Sequence, residues 1–554
     1  MQDAKAQRGL GVFALLKRYD CAKSCQVKRQ ESMKSCQVKR QDCILEAYCI
    51  NLSVPMYGEN EETVASKFHQ VIEEKLSEFY EQGIPSLFRR DLSLGTVPEP
   101  QRHNLVQVIV GVRRCGKTYR LYQEMQQLLE KGVELRDILY FNFDDERLKP
   151  YETSLLNDVL ESFYARNPQA RTRGAYLFFD EIQEVPEWGA FMRRVVDDEK
   201  VCLYVTGSSS KMLSSHLASE FRGRALSREL FPLSFAEYVR FHTEFQEGLQ
   251  MGLHTEATEV QRGLNNRDFD NGHLNNKSLS NRGVNTDFTD SSFSSAQQSL
   301  LKHSLQRYLY QGGFIAAQNL DSSDAVQLLQ EYANRAINYD IIERYNISNP
   351  RAAMVFLARC LASSGRELSV NKVFNEFKSR QISVSRELLA HLLSYYEESY
   401  LLFTVKNYSV ALSDNARSVA KVYAVDPAIF GAFSPAGSKE YGQRLETAVF
   451  NKLRRATLSV RPGAISRVLA REASQRYEID FVMGDALALE EQIIVQVCVS
   501  LSDSKTRERE VRACNKAMGQ FGVKQSVIVT EDEEETIEVS NGVIQAVPAW
   551  KWLL

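Results

Sequence analysis

The stretch LVQVIVGVRRCGKT, Leu105–Thr118, decides the fold. Val106, Val108, Ile109 and Val110 make an aliphatic, β-branched run, too short for a helix, that reads as a strand buried on both faces. It ends in Gly111-x-x-x-x-Gly116-Lys117-Thr118, the spacing of a phosphate-binding loop. Beyond it, Leu121, Met125, Leu128 and Leu129 recur at helical spacing, and Gly132 stands where a helix ends. Strand, glycine loop and helix are the context this spacing requires. Glycines let backbone N–H groups close around phosphates, and the helix start presents partial positive charge to them. The expected ATP cradle is Gly111, Val112, Arg113, Arg114, Cys115, Gly116, Lys117 and Thr118, with Lys117 on the β- and γ-phosphates and Thr118 on Mg²⁺. Cys115 lies beside Lys117 and a helix N-terminus, both of which depress a thiol pKa, so a reactive thiol is predicted.

Downstream the chain alternates as an α/β protein does. Asp137–Phe143 reads as a strand, Leu155–Tyr164 as a helix, and Tyr176–Phe179 as a strand running into Asp180-Glu181. An apolar strand ending in two carboxylates after a phosphate loop is the Walker B arrangement: Asp180 for Mg²⁺, Glu181 as the general base that polarises the attacking water. A helix over Trp188–Val196 follows, in which Trp188 is read as packing rather than as an adenine platform. The strand Val201–Val205 is tipped by Thr206-Gly207-Ser208, and Thr206 or Ser208 is a candidate to touch the γ-phosphate or the water. Phe221–Arg228, FRGRALSR, carries three arginines and is read as supplying a guanidinium to the γ-phosphate, in cis or from a neighbouring copy, with Arg224 preferred to Arg222; the alternative is a solvated basic loop.

The 554-residue length suggests roughly three to four domains. A net charge of −3 gives no global basic field, so any nucleic-acid contact must come from local patches. No apolar run approaches the ~18 residues of a membrane span, so no membrane partner is expected. Ten scattered cysteines with no C-x-x-C pair suit a reducing cytoplasm. Residues 1–58, in which KSCQVKRQ occurs twice (Lys23–Gln30 and Lys34–Gln41), read as a disordered extension, and 59–245 as the nucleotide domain with a leading helix closed by Gly83 and Pro85. Asparagine- and serine-rich 246–299 reads as a low-complexity insertion, because it cannot bury enough apolar surface to offset its ordering entropy. Residues 300–410 read as helical, with Met354–Cys360, Val370–Phe377 and Leu388–Tyr396 followed by the strand Tyr400–Val405. Three helices and a β-wing suggest a winged helix whose third helix starts at an N-cap Ser383 and carries Arg386 and His391. DNA contact and packing against the nucleotide domain are both open there.

Five segments taken in order resemble a prokaryotic family of AAA-type P-loop ATPases with a C-terminal domain similar to restriction endonucleases. They are GVRRCGKT (from Gly111), YLFFDEIQE (from Tyr176), VTGSSSKML (from Val205), FRGRALSRELFPLSFAEYV (from Phe221) and QGGF (from Gln311). The resemblance implies an ATPase core, a helical or winged-helix middle and an α/β endonuclease-like domain over 411–554. In that last domain Glu446, Asp480, Gln496 and Cys498 stand at the metal-binding and water-activating positions. Gln496-Val497-Cys498 lacks the carboxylate and the lysine of the expected triplet, so a degenerate site that does not cut DNA is expected, with Lys505 or Arg507 as conceivable substitute cations. The expected function is a cytoplasmic, Mg²⁺-dependent ATPase that couples its cycle to DNA. The alternatives are a switch acting on a protein partner and an ATP-dependent nuclease. Homo-oligomerisation is an open possibility.

Overall fold

The computed structural model describes residues 61–96, 98–207, 221, 223–249, 293–408, 419–434, 440–457, 464–472, 475–484 and 492–554. The expectations for residues 1–58, for Arg222 and Ser208, and for most of 246–299 lie outside the described residues.

Helix α1 (Glu61–Gln82) buries Val71, Ile72, Leu76 and Phe79 on one face and stops at Gly83, whose φ of 67° suits a residue without a Cβ. It packs against the nucleotide domain, where Tyr80 donates to the Ile138 carbonyl at 2.9 Å. That domain runs β1 (Val106–Val110), α2 (Lys117–Glu130), β2 (Ile138–Asn142), α3 (Ser154–Arg166), β3 (Ala175–Asp180), α4 (Trp188–Asp198), β4 (Val201–Gly207) and β5 (Ala225–Glu229). The strands form one sheet in the order β2-β3-β4-β1-β5, and every neighbouring pair is parallel. All five residues of β1 are buried, as expected of a central strand covered by helices on both faces. Parallel pairing brings Val110, Asn142, Asp180, Gly207 and Glu229 to one edge, where ligands of such sheets bind. Trp188 is buried in α4 against Phe221, with ring centroids 5.7 Å apart.

Part of the arginine-bearing segment is the fifth strand. β5 pairs with β1 from Val106↔Ala225 to Val110↔Glu229, and Ala225–Glu229 has too few aliphatics to announce itself as a strand. Helix α5 (Phe235–Leu249) continues past 245 and α6 (Ser295–Gln311) begins before 300, so helical structure enters the segment expected to be an insertion from both sides. A capping box between Ser294 and Gln297 starts α6.

The middle continues through α7 (Ser322–Arg335), a π-helical run over Ala336–Glu343, α8 (Pro350–Leu361), β6 (Arg366–Leu368), α9 (Val370–Ser379), α10 (Arg386–Glu398), β7 (Leu402–Val405) and β8 (Ala420–Ala424). The strands pair antiparallel as β6-β8-β7. The N-cap of α10 is Ser385, which accepts from the Leu388 N–H, and not Ser383. A capping hydroxyl stands two or three residues before the amide it satisfies, as Ser385 does for Leu388, and Ser383 is too early for that reach.

The last part comprises α11 (Pro427–Phe433), α12 (Tyr441–Ala456), β9 (Ile465–Glu472), β10 (Gln475–Met483), β11 (Ile493–Val497), α13 (Ser504–Phe521), β12 (Gln525–Thr530), β13 (Glu535–Val539) and β14 (Gly542–Pro548). Its sheet has the order β13-β14-β12-β11-β10-β9, with β9, β10 and β11 antiparallel and β11, β12 and β14 parallel. One hydrophobic core runs from α1 through the nucleotide sheet and the middle to Leu553, and a second lies beneath α13. No helix among the described residues is long and apolar enough to cross a membrane.

Candidate nucleotide site

The phosphate loop joins β1 to α2. Gly111 has φ 151°, and a Cβ there would lie 2.1 Å from the Leu230 carbonyl oxygen, so the chain passes β5 with room for hydrogen alone. Gly116 caps α2 at φ 101°, and Arg114 also turns to positive φ (67°). Val112 and Cys115 are buried beneath the loop. Lys117 opens α2 and folds across the cradle, its Nζ donating to the Gly111 and Val112 carbonyls at 3.2 Å each.

Asp180, fully buried, gathers four donors from three elements. Its Oδ2 accepts from Thr118 Oγ1 at 2.7 Å, Asn142 Nδ2 at 3.1 Å and Tyr140 Oη at 3.2 Å, and its Oδ1 accepts from Thr206 Oγ1. Burial and then the Glu181 charge push its carboxyl up, while the Thr206 and Thr118 hydrogen bonds and Lys117 pull it down. Thr206 also accepts from the Glu181 N–H at 3.2 Å, so its hydroxyl braces the Asp180-Glu181 corner. Glu181 turns that corner in the left-handed region (φ 53°), and its Oε2 accepts from Gln183 Nε2 at 2.6 Å. The structure therefore brings Lys117, Thr118, Asp180, Glu181 and Thr206 to one edge of the sheet. Thr118 and Asp180 offer a hard-oxygen pair at a helix N-terminus, which fits Mg²⁺ bound beside phosphate.

Arg224 is not brought there. It precedes β5, its carbonyl accepts from the Val106 N–H at 2.9 Å, and its guanidinium pairs with Asp197 at the end of α4. That is the opposite edge of the sheet, a five-residue strand or about 16 Å from its own phosphate loop. The reactive-thiol expectation for Cys115 is corrected too. Burial pushes the thiol up despite Lys117 and Arg90, because desolvation of a thiolate outweighs both cations.

Sequence reading missed Arg90, which lies between α1 and β1. Its buried guanidinium grips Glu237 through Nε (2.9 Å) and Nη2 (3.1 Å), and also donates to the Cys115 carbonyl at 2.9 Å and the Phe231 carbonyl at 2.8 Å. Burial raises the Glu237 carboxyl, but the Arg90 charge and hydrogen bonds outweigh it and hold it low. A strut thus fastens the underside of the loop to α5. The two residues stand 147 positions apart, and no local spacing announces them.

The C-terminal quartet is assembled around another unannounced residue. Lys421 of β8 places its Nζ 3.1 Å from Glu446 of α12, 2.9 Å from Asp480 and 3.0 Å from Glu478 of β10. Tyr423 donates to Glu446 at 2.7 Å. Gln496 accepts from the Asp480 N–H at 3.0 Å and donates to Glu510 at 2.9 Å, so it serves as a hydrogen-bond bridge. Cys498 donates to the Ser500 carbonyl at 3.1 Å, and burial pushes its thiol up to about 11. The cation among the carboxylates is Lys421, and Arg507, considered as a substitute, pairs with Glu535 instead. Among the described residues no group of three or more His, Cys, Asp or Glu is arranged to hold a metal ion.

Residues 103–239 match the family described as AAA domain, and residues 302–440 match a domain of unknown function (DUF8612). An uncharacterized protein of Methanocaldococcus jannaschii, MJ1544, is 29% identical over 476 residues, covering 84% of this chain and 91% of that protein. An uncharacterized protein of Haemophilus influenzae is 23% identical over 404 residues, 72% of this chain and 84% of that protein. Among solved structures, the Aeropyrum pernix ORC1 protein in complex with DNA aligns at 15% identity and a TM-score of 0.24, covering 68% of this chain and 94% of that one. AMPPCP-bound DnaA from Aquifex aeolicus aligns at 14% identity and a TM-score of 0.21, covering 59% and 86%. Superpositions that loose carry no argument about this chain. The family match and the parallel sheet with its loop after β1 together identify residues 103–239 as a P-loop domain of AAA type.

Proposed function

We propose that this chain hydrolyses ATP and uses the cycle to switch its outer parts. The observation that carries this is the meeting of Thr118 Oγ1 and Asp180 Oδ2 at 2.7 Å beside Lys117 and Glu181. Lys117 binds the β- and γ-phosphates, Gly111 to Gly116 surround them with backbone N–H groups, and Glu181 accepts the proton of the attacking water. Mg²⁺, held by Thr118 and Asp180, supplies charge neutralisation at the phosphates. Thr206 keeps Asp180 and Glu181 in register. Arg222 or Arg224 acts as a finger from a neighbouring copy, a role supported for Arg224 by its place on the far edge of its own sheet.

The outer parts are read as a winged helix and an endonuclease-like domain that does not cut. The order α8-β6-α9-α10-β7-β8 with its antiparallel sheet supports the first. The succession α12-β9-β10-β11-α13-β12 supports the second. The preferred cargo of the switch is DNA in the cytoplasm, met by α10, where Arg386 and His391 are exposed. ATPase rate is to be measured with and without double- and single-stranded DNA at two salt concentrations. DNA stimulation that weakens with salt is expected, and a rate indifferent to both would favour a protein partner. The nuclease alternative is disfavoured by Lys421, whose ammonium stands among the carboxylates that a metal would need.

A further inference from the structure

The phosphate loop carries a side chain bound to the middle of the chain. Arg113 Nε donates to Asp340 Oδ2 at 2.8 Å and its Nη2 donates to Oδ1 at 2.7 Å, a bidentate fork across 227 positions. Asp340 is only 3% exposed and sits in the π-helical run Ala336–Glu343. Such runs interrupt ordinary helices and are frequent at functional sites. The pair joins the segment that matches the AAA domain to the one that matches the domain of unknown function.

We infer that Asp340 is a positioning residue for the nucleotide: it fixes the Arg113 guanidinium so that its remaining N–H groups meet the terminal phosphates. This rests on the ATP site proposed above. The fork engages the Nε/Nη2 edge, and the Arg113 side chain keeps 27% exposure while its partner is enclosed. The pair also lies within electrostatic reach of the catalytic corner. Burial lowers and Asp340 raises the Arg113 pKa, with Glu181 and Glu184 adding to the rise, and Lys117 and Glu181 both act on Asp340. A carboxylate that orients an arginine removes freedom that the phosphate would otherwise have to remove. Binding is also reciprocal: if docking of Ala336–Glu343 improves the phosphate site, nucleotide must strengthen that docking.

The experiment uses the full chain and five proteins: wild type, Asp340→Asn, Asp340→Ala, Arg113→Ala and the Asp340→Ala/Arg113→Ala double variant. ATP affinity, kcat and KM are measured beside thermal melting. Asp340→Ala is expected to weaken ATP binding about tenfold, the scale of one charge-assisted pair. Arg113→Ala is expected to do the same, and the double variant to be no worse than either. Hydrogen exchange over 322–345 should slow with ATP in wild type and not in Asp340→Asn, which keeps the shape and one acceptor should Asp340→Ala fail to fold. Wild-type ATP affinity in a folded Asp340 variant, or losses that add in the double variant, would overturn the inference while leaving the ATP site intact. A wild-type chain that binds no ATP, with Lys117→Ala making no difference, would overturn both.

Discussion

Lys117 and Glu181 sit at one sheet edge, and the proposed site gives them different partners, so their variants should fail differently. Lys117→Ala removes the charge that meets the phosphates and should cost most of the nucleotide affinity. Glu181→Gln keeps the cradle and should bind ATP while losing turnover, by ~100-fold or more if the carboxylate is the base. Equilibrium binding and single-turnover rates separate the two, and equal loss of binding in both would refute the roles. Cys115 is the residue whose environment reversed its expectation. A thiol with 2% exposure and a raised pKa should resist maleimide in the native chain with or without ATP, and react only after denaturation. Mass spectrometry of the labelled Cys115 peptide checks this, and fast labelling of the native apo protein would show the loop to be open. The sequence displayed the two cations that favour a thiolate, but not the packing that dehydrates it.

Within elements, legibility follows burial pattern. β1, β3 and β4 are apolar runs covered on both faces, and each was readable from composition. β5 is half-buried along its whole length, and its Ser227, Arg228 and Glu229 resemble a loop. It is a strand because β1 offers it a full ladder from Val106 to Val110. That pairing also explains the rigidity required at Gly111, whose carbonyl-facing side is closed by Leu230 just beyond β5. Gly111→Ala should therefore distort the loop and abolish nucleotide binding, because both the 2.1 Å approach and the φ of 151° exclude a Cβ. Calorimetric titration with ATP on a variant shown by circular dichroism to be folded is the check, and retained affinity would mean that β5 can yield.

Across the whole molecule, long-range ion pairs hold the parts in register. Arg454 of α12 grips Glu229 at the end of β5 through bonds of 2.9 and 2.7 Å, and it stacks 5.1 Å from the Phe403 ring of β7. Lys421 does the same for β8, α12 and β10. Lys421→Met leaves Glu446 and Asp480 without their cation and should destabilise the chain by about 3–5 kcal/mol, the usual result of breaking a buried pair from one side. Chemical denaturation measures it, and a loss under 1 kcal/mol would show that the carboxylates are hydrated or protonated. Burial and the Asp480 charge push Glu446 up to about 7 from a usual 4.5. The native state then holds that proton more tightly than the unfolded chain. Its contribution is therefore most favourable at acid pH and fades as pH rises from 4.5 through about 7. Melting temperature should fall more steeply across that window in wild type than in Glu446→Gln, and parallel slopes would exclude Glu446 as the titrating group.

The sequence by itself determined four of the five strands of the nucleotide sheet and the candidate residues Lys117, Thr118, Asp180 and Glu181, because each of those signals is contained within a few neighbouring residues. Strand composition, glycine spacing and the carboxylates at a strand tip are local facts, readable wherever the backbone satisfies itself. Only the tertiary structure decided that Arg90 underpins the loop, that Asp340 grips Arg113, that Arg224 faces away, and that Lys421 fills the carboxylate cluster. Each of these depends on a charge meeting a partner that is remote in sequence, and all but the exposed Arg224–Asp197 pair meet in partly or fully buried surroundings. The strength and even the sign of such an interaction come from the low-dielectric surroundings that folding creates.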